Sequence, residues 1–253
     1  MSLIEISNLN FEYIKARPVL FDIKYSIDEN TTNVILGLNG CGKTTLIKIL
    51  AGLLKPICGS INIDGKPIFK MSDYERSKYI AYVPQFATSK IPFKVKEYLE
   101  LSLTNQKSIY WRSGEDEVKL KQFAEKYKID KFFDRPMNEL SGGERQKIMI
   151  CAAIFQDSKI IILDEPTASL DIKNQYEVLQ FLKECNTDNR TIILTCHDPN
   201  HVLRLDANAI VLHDGKIAFN NRNSPICAKD LKSIYGENIC DVNIGNQNYF
   251  VVL

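Results

Sequence analysis

Along this chain the spacing of apolar positions changes several times, and each change marks an element. Leu3 to Tyr13 alternates (Leu3, Glu5, Ser7 against Ile4, Ile6, Asn8), the period of a half-buried strand, and Leu20 to Ile27 alternates again. A polar link containing Tyr13, Lys15, Arg17 and Pro18 separates the two. Asp28-Glu29-Asn30 then turns into a short apolar strand, Val34-Ile35-Leu36. A glycine-rich segment follows, then a helix-forming run from Leu46 to Ala51, with Gly52 placed to stop it. Gly59 to Lys66 reads as a strand with an Asp64-Gly65 turn, Ser72 to Tyr79 as a polar helix, and Ile80 to Val83 as a compact strand closed by Pro84-Gln85.

From Phe86 the composition becomes helical, as in an insertion. Val95 to Leu103 fits one helix and Glu115 to Lys128 another, with Leu120, Phe123, Ala124 and Tyr127 on one face. Lysines 119, 121, 126 and 128 are mixed with Glu117 and Glu125, which makes the opposite face a solvated one. An apolar helical stretch, Ile148 to Phe155, leads to Lys159-Ile160-Ile161-Ile162-Leu163-Asp164-Glu165. Its apolar run does not alternate, the pattern of a parallel strand covered on both faces, and Thr191 to Thr195 repeats it. Ile210 to Phe219 is a hairpin about Asp214-Gly215. A helix from Ala228 to Tyr235 and a hairpin around Gly245 complete the pattern, with no internal repeat and no low-complexity segment.

Composition narrows the picture. A chain of 253 residues can bury one large α/β domain with an inserted subdomain. Lys and Arg number 32 and Asp and Glu 31, so the net charge is +1 and no global field draws the chain onto nucleic acid. The seven cysteines are odd in number and scattered without a C-x-x-C pair, which suits reduced, space-filling thiols better than disulfides or zinc. Met1-Ser2-Leu3-Ile4-Glu5 lacks the basic start of an export signal, and no apolar run approaches the ~18–20 residues of a membrane-spanning helix.

Chemistry concentrates in four places. Gly37-Leu38-Asn39-Gly40-Cys41-Gly42-Lys43-Thr44-Thr45 matches G-x-x-x-x-G-K-[ST] between a strand and a helix. Side chains in place of its glycines would hold the backbone N–H groups away from an anion. The helix start adds its partial positive charge, Lys43 a full charge and Thr44 a hydroxyl for a magnesium ion. Ser141-Gly142-Gly143-Glu144 stands at a second helix start, where it is either an anion site or only a loop. Asp164 and Glu165 close a buried strand at the edge where open α/β sheets place ligands, and His197 follows another. Taken alone each could be structural; beside a phosphate loop they supply a metal ligand, a residue to position water and a phosphate contact.

The loop, Gln85, Leu140-Ser141-Gly142-Gly143-Glu144-Arg145-Gln146, Lys159 to Glu165, Ser169-Leu170-Asp171 and His197 occur in an order that resembles the ATPase domain of ATP-binding cassette (ABC) proteins over about the first 220 residues. The resemblance implies a P-loop NTPase (RecA-like) core with an antiparallel β subdomain and an inserted helical subdomain. The core and β subdomain would occupy 1–86 and 159–222, the helical subdomain about 87–158, and a C-terminal extension 223–253. It further implies that ATP and Mg2+ are bound. Tyr13, otherwise a strand-capping aromatic, would stack on adenine. Gly37, Leu38, Asn39, Gly40, Cys41, Gly42, Lys43, Thr44 and Thr45 would hold the phosphates. Lys43 would act on the β and γ groups, Thr44 and Asp164 would lie on or near the metal, and Gln85 would lie near metal and water while linking the site to the helical subdomain. Glu165 would activate water, and His197 would contact the γ-phosphate. Ser141, Gly142, Gly143 and Glu144 would close over the nucleotide of a second copy, with Asp171 communicating across that interface.

A narrower similarity, carried by Ser72 to Arg76, Ile80 to Gln85, Leu170 to Gln175 and the tail after Asn221, is to ATPases that serve importers of iron-siderophore, haem and cobalamin-type chelates. The partners so implied are a second copy, two integral membrane permease subunits and a substrate-binding protein, at the cytoplasmic face of the cell membrane, with no nucleic acid. Two departures stand out. Leu101 to Lys107 lacks the Gly-Arg element usual in those relatives, and Cys41 replaces a small residue, with added thiol sensitivity expected. A soluble ABC ATPase in a non-transport role such as cluster assembly is the competing reading. The chain is too short for the coiled coils of repair members or the paired cassettes of translation members.

Overall fold

The computed structural model describes residues 2–85, 92–102, 114–185, 189–221, 225–245 and 247–253. Phe86 and the stretch from Leu103 to Lys107, part of the segment on which the missing Gly-Arg element was read, lie outside the described residues, as does Arg222 at the expected domain boundary.

The amino-terminal pattern folds as a long hairpin of β1 (Ser2–Ile14) and β2 (Arg17–Asp28). The expected polar link is shorter than its composition suggests. Tyr13, Arg17 and Pro18 are strand residues, and only Lys15 and Ala16 turn, with Ala16 at φ 64°. Pro18 is tolerated because β2 is an edge strand, where a missing N–H breaks no ladder. The simple alternation in β1 also fails locally: Leu3 and Ile4 are both buried, and a register shift between Ile6 and Leu9 leaves Ser7 and Asn8 both exposed.

The chain then enters β3 (Thr32–Leu36), α1 (Lys43–Leu50), β4 (Cys58–Ile63) and β5 (Lys66–Pro67). The hairpin continues into β4 and β5, giving an antiparallel sheet in the order β2-β1-β4-β5. Helix α2 (Asp73–Tyr79) starts at Ser72, whose side chain accepts from the Glu75 N–H while Glu75 accepts from the Ser72 N–H. It leads to β6 (Ile80–Val83).

Beyond β6 come the helices α3 (Val95–Ser102), α4 (Gly114–Lys126) and α5 (Gly142–Phe155), then β7 (Ile160–Leu163), α6 (Ile172–Cys185), β8 (Thr191–Cys196) and α7 (Asn200–Leu205). The hairpin β9 (Asn208–His213) and β10 (Lys216–Asn220), helix α8 (Ala228–Tyr235) and the hairpin β11 (Ile239–Ile244) and β12 (Gln247–Val252) follow. The second sheet has the order β10-β9-β3-β8-β7-β6, parallel except for β10.

Burial explains why its central strands read as unbroken apolar runs. Every residue of β3, β7 and β8 is buried. Successive side chains serve opposite faces: Ile35, Ile160, Ile162 and Ile193 pack with α1 and the antiparallel sheet, whereas Val34, Leu36, Ile161, Leu163 and Leu194 pack with the helices. The helices α3, α4 and α5 contribute Leu99, Leu120, Ala124 and Ile150 to this second cluster, so the helical region shares the sheet's core. The C-terminal unit joins it through Leu231, Ile234, Ile239 and Phe250.

Because the strands are parallel, β3, β7 and β8 end on one edge. Leu36 pairs with Cys196, and Leu163 with Leu194 and Val83. The residues after them, the glycine-rich loop, Asp164-Glu165, Gln85 and His197, are therefore delivered to the same edge.

Candidate functional site

Between β3 and α1 the loop turns with Gly42 at φ 106°, immediately before the helix. A Cβ on Gly42 would stand 2.9 Å from Leu20 Cδ2, and one on Gly37 would stand 2.4 Å from the Leu212 carbonyl oxygen. The loop is thus pinned between the two sheets, and Asn39, Gly40, Gly42 and the start of α1 border a cavity of ≈ 480 Å³. Tyr13, Asn39, Gly40, Gly42, Lys43, Thr44, Thr45, Gln85 and Glu165 line it together with Val19, which the sequence did not single out.

Inside, the charged groups are tied to one another. The Lys43 ammonium, 5 % exposed as a residue, donates to the Gly37 and Leu38 carbonyls at 2.9 and 3.1 Å and lies 3.5 Å from Glu165 Oε1. Gln85 Nε2 donates to Glu165 Oε2 at 2.8 Å, and the Thr44 hydroxyl donates to Asp164 Oδ1 at 3.1 Å. Two adjacent carboxylates therefore serve different partners. Glu165 adopts φ 43°, a conformation that costs a non-glycine residue on the order of 1–3 kcal/mol and marks the turn between them.

Sequence reasoning missed Thr195. Its hydroxyl accepts from the Glu165 N–H at 2.8 Å and donates to Asp164 Oδ1 at 2.9 Å, so one buried side chain fixes both acids. The signal was present: a hydroxyl, fully buried here, at the end of an apolar strand must find a partner. Tyr82 was missed too. Its buried hydroxyl lies near Asp164, and its pKa is raised by burial first and by the Asp164 carboxylate second.

Tyr13 is 58 % exposed, stands edge-on to Phe11 at 4.8 Å between ring centroids, and shares a hydrogen bond of 3.1 Å with the Thr45 hydroxyl. The phenol is held at its tip while the ring stays open to the cavity. Leu38 is exposed on the loop. Burial pushes the half-buried Cys41 thiol up, against the pull of Lys43, so it carries less thiolate than an ordinary cysteine and the added sensitivity expected from sequence is not favoured.

The remaining candidates do not reach this cavity. His197 is exposed just beyond β8, its carbonyl accepting from the Tyr235 hydroxyl at 2.8 Å. Ser141 to Glu144 form the start of α5. The Glu144 N–H donates to Ser141 Oγ at 3.3 Å, and the Ser141 N–H donates to Glu144 Oε2 at 2.9 Å, the chief cause that holds the Glu144 carboxyl below its ordinary range. A Cβ on Gly143 would stand 2.6 Å from Asn174 Oδ1 and one on Gly142 3.1 Å from Leu170 Cδ2. This helix start therefore abuts the segment where Asp171 accepts from the Asn174 N–H at 2.8 Å and caps α6.

With this geometry in place, comparison with known proteins gives a consistent result. Residues 20–168 match the family described as ABC transporter. The iron(3+)-hydroxamate import ATP-binding protein of Bacillus subtilis is 32 % identical over 203 residues, 79 % of this chain and 76 % of that protein. The petrobactin import ATP-binding protein of Bacillus anthracis is 33 % identical over 221 residues, 85 % and 80 %. Among solved structures, a metal-chelate type ABC transporter in an inward-facing conformation superposes with a TM-score of 0.84 at 26 % identity, covering 100 % of this chain and 97 % of the other. The chain belongs to the ABC transporter family, with the ABC ATPase fold. Within that family it is an ATP-binding and ATP-hydrolysing subunit.

Proposed function

We propose that this chain powers the import of iron-siderophore-type metal chelates, hydrolysing ATP between two copies docked on two membrane permease subunits that receive cargo from a substrate-binding protein. The observation that carries the two-copy reading is the separation within one chain: the loop cavity holds Lys43, Gln85 and Glu165, while Ser141 to Glu144 lie outside it. The cargo class rests on the relatives named for hydroxamate and petrobactin import and on the metal-chelate transporter of similar fold. No helix among the described residues is long and apolar enough to cross a membrane, which suits a subunit held at the cytoplasmic face by its partners.

The residues fit a magnesium nucleotide. The Thr44 hydroxyl and Asp164 carboxylate already meet at 3.1 Å at the loop, a pair of hard oxygen donors. Magnesium, when bound, supplies positive charge to the β and γ groups. Loop N–H groups and the α1 N-terminus take the phosphates, and the Tyr13 ring faces the base. Lys43 donates to the β and γ groups in place of the loop carbonyls it now holds. That exchange frees Glu165, steadied by Gln85, to orient and deprotonate the attacking water, and His197, which follows β8 at the same sheet edge but does not line the cavity, turns in against the γ-phosphate when nucleotide is bound. Catalysis of this kind is positioning and charge stabilisation.

Glu165→Gln tests the chemistry: hydrolysis falls by about 10²–10⁴ while ATP still binds. Retained turnover refutes the assignment of the base. For the cargo, cells lacking this chain should lose uptake of radioactive iron supplied as siderophore, regained with the wild type and not with Glu165→Gln. Unchanged uptake refutes that cargo class.

A further inference from the structure

We propose that the C-terminal unit, residues 225–253, sets the position of His197 through the Tyr235 hydroxyl, making Tyr235 a positioning residue for hydrolysis. The inference rests on the reading that His197 contacts the γ-phosphate.

Sheet pairing ends at Cys196, opposite Leu36, so the ladder does not direct the peptide of His197. Tyr235, on the last turn of α8, donates to the His197 carbonyl at 2.8 Å. Three residues on, Asn200 is gripped by β12: its Nδ2 donates to the Phe250 carbonyl at 3.1 Å, and the Phe250 N–H donates to its Oδ1 at 2.8 Å. The same Asn200 donates to Asp198 Oδ1 from its backbone N and from Nδ2, at 2.9 and 3.0 Å. The connector carrying His197 is thus clamped at both ends by one unit.

That unit is firmly based. Leu231 of α8 is fully buried and Ile234 nearly so. Both carboxylate oxygens of Asp241 on β11 accept from the Ala228 N–H at 3.1 Å, and Asp230 accepts from the Cys227 N–H at 2.9 Å, closing the helix start. Burial, then Cys196 and Asp198, raise the Tyr235 phenol's pKa, so it stays a donor throughout the physiological range.

Tyr235→Phe removes the hydroxyl and keeps the ring. In the purified full chain with Mg-ATP, kcat should fall about fivefold, the loss expected for one hydrogen bond, with KM for ATP unchanged. His197→Ala and the double variant are measured alongside. Once His197 is gone, Tyr235→Phe should cost nothing further. Labelling with carbonyl-13C histidine gives three signals, one per histidine, and the signal missing from His197→Ala should be the one that moves in Tyr235→Phe. If His197→Ala retains full activity, the site reading fails. If His197→Ala is impaired but Tyr235→Phe keeps its kcat, or loses it equally in both backgrounds, the positioning role alone is overturned.

Discussion

The two glycine-bearing helix starts of this chain look alike in sequence and differ in surroundings. At α1, Lys43 is buried and bonded to its own loop, Thr44 reaches Asp164 on another strand, and Tyr13 arrives from the other sheet. At α5, Ser141 and Glu144 bond chiefly to each other, and Ser141 and Gly142 remain exposed. One is the hub of a network reaching β1, β3, β6, β7 and β8; the other is capped locally and presented outward. On the proposed reading, in which the phosphates lie at α1, a helix N-terminus exposed in this way is suited to the nucleotide of a second copy.

Breaking the first hub should have the largest effect. Lys43→Ala removes a charge that would make charge-assisted hydrogen bonds to phosphate, worth about 1.5–3 kcal/mol, so ATP affinity should fall roughly 10- to 100-fold in a titration. Unchanged affinity would detach the loop from the nucleotide. Next in size is Thr195→Val, which keeps the shape and leaves the Glu165 N–H and Asp164 Oδ1 each short of one bond. Denaturant unfolding should show a loss of about 1–3 kcal/mol, with a lower kcat because both acids loosen. A fall in stability without a fall in kcat would make Thr195 structural only.

The smallest effect belongs to the second helix start. Glu144 has its pKa lowered chiefly by the Ser141 N–H, so its charge stabilises the fold above the ordinary carboxylate value, and that contribution is lost as pH falls through the lowered one. The carboxylate is well solvated, so Glu144→Gln should cost only a few tenths of a kcal/mol at neutral pH. The difference from wild type should close in acid. A difference that persists in acid would assign the effect to packing.

Much of this contrast was legible in the chain. The loop, the strand runs and the Asp-Gly turns depend on local rules, and α8 falls at the residues its pattern marks, Ala228 to Tyr235. What escaped depends on register. Thr195 looks like one more strand residue until β8 is paired beside β7, where it stands next to both acids. The turn at Lys15-Ala16 is hidden because both strands near it are largely exposed, Tyr13 and Ile14 included, so burial imposes no alternation there. The clamp on His197 joins residues 38 apart through a tyrosine that sequence would assign to a helix face.

The most direct test of the two-copy site is sedimentation of the Glu165→Gln chain with and without Mg-ATP. It should be monomeric without nucleotide and dimeric with it, and adding Ser141→Arg should abolish the dimer while leaving ATP binding intact. A chain that stays monomeric when saturated with ATP, or a dimer indifferent to Ser141→Arg, would contradict a site shared between two copies.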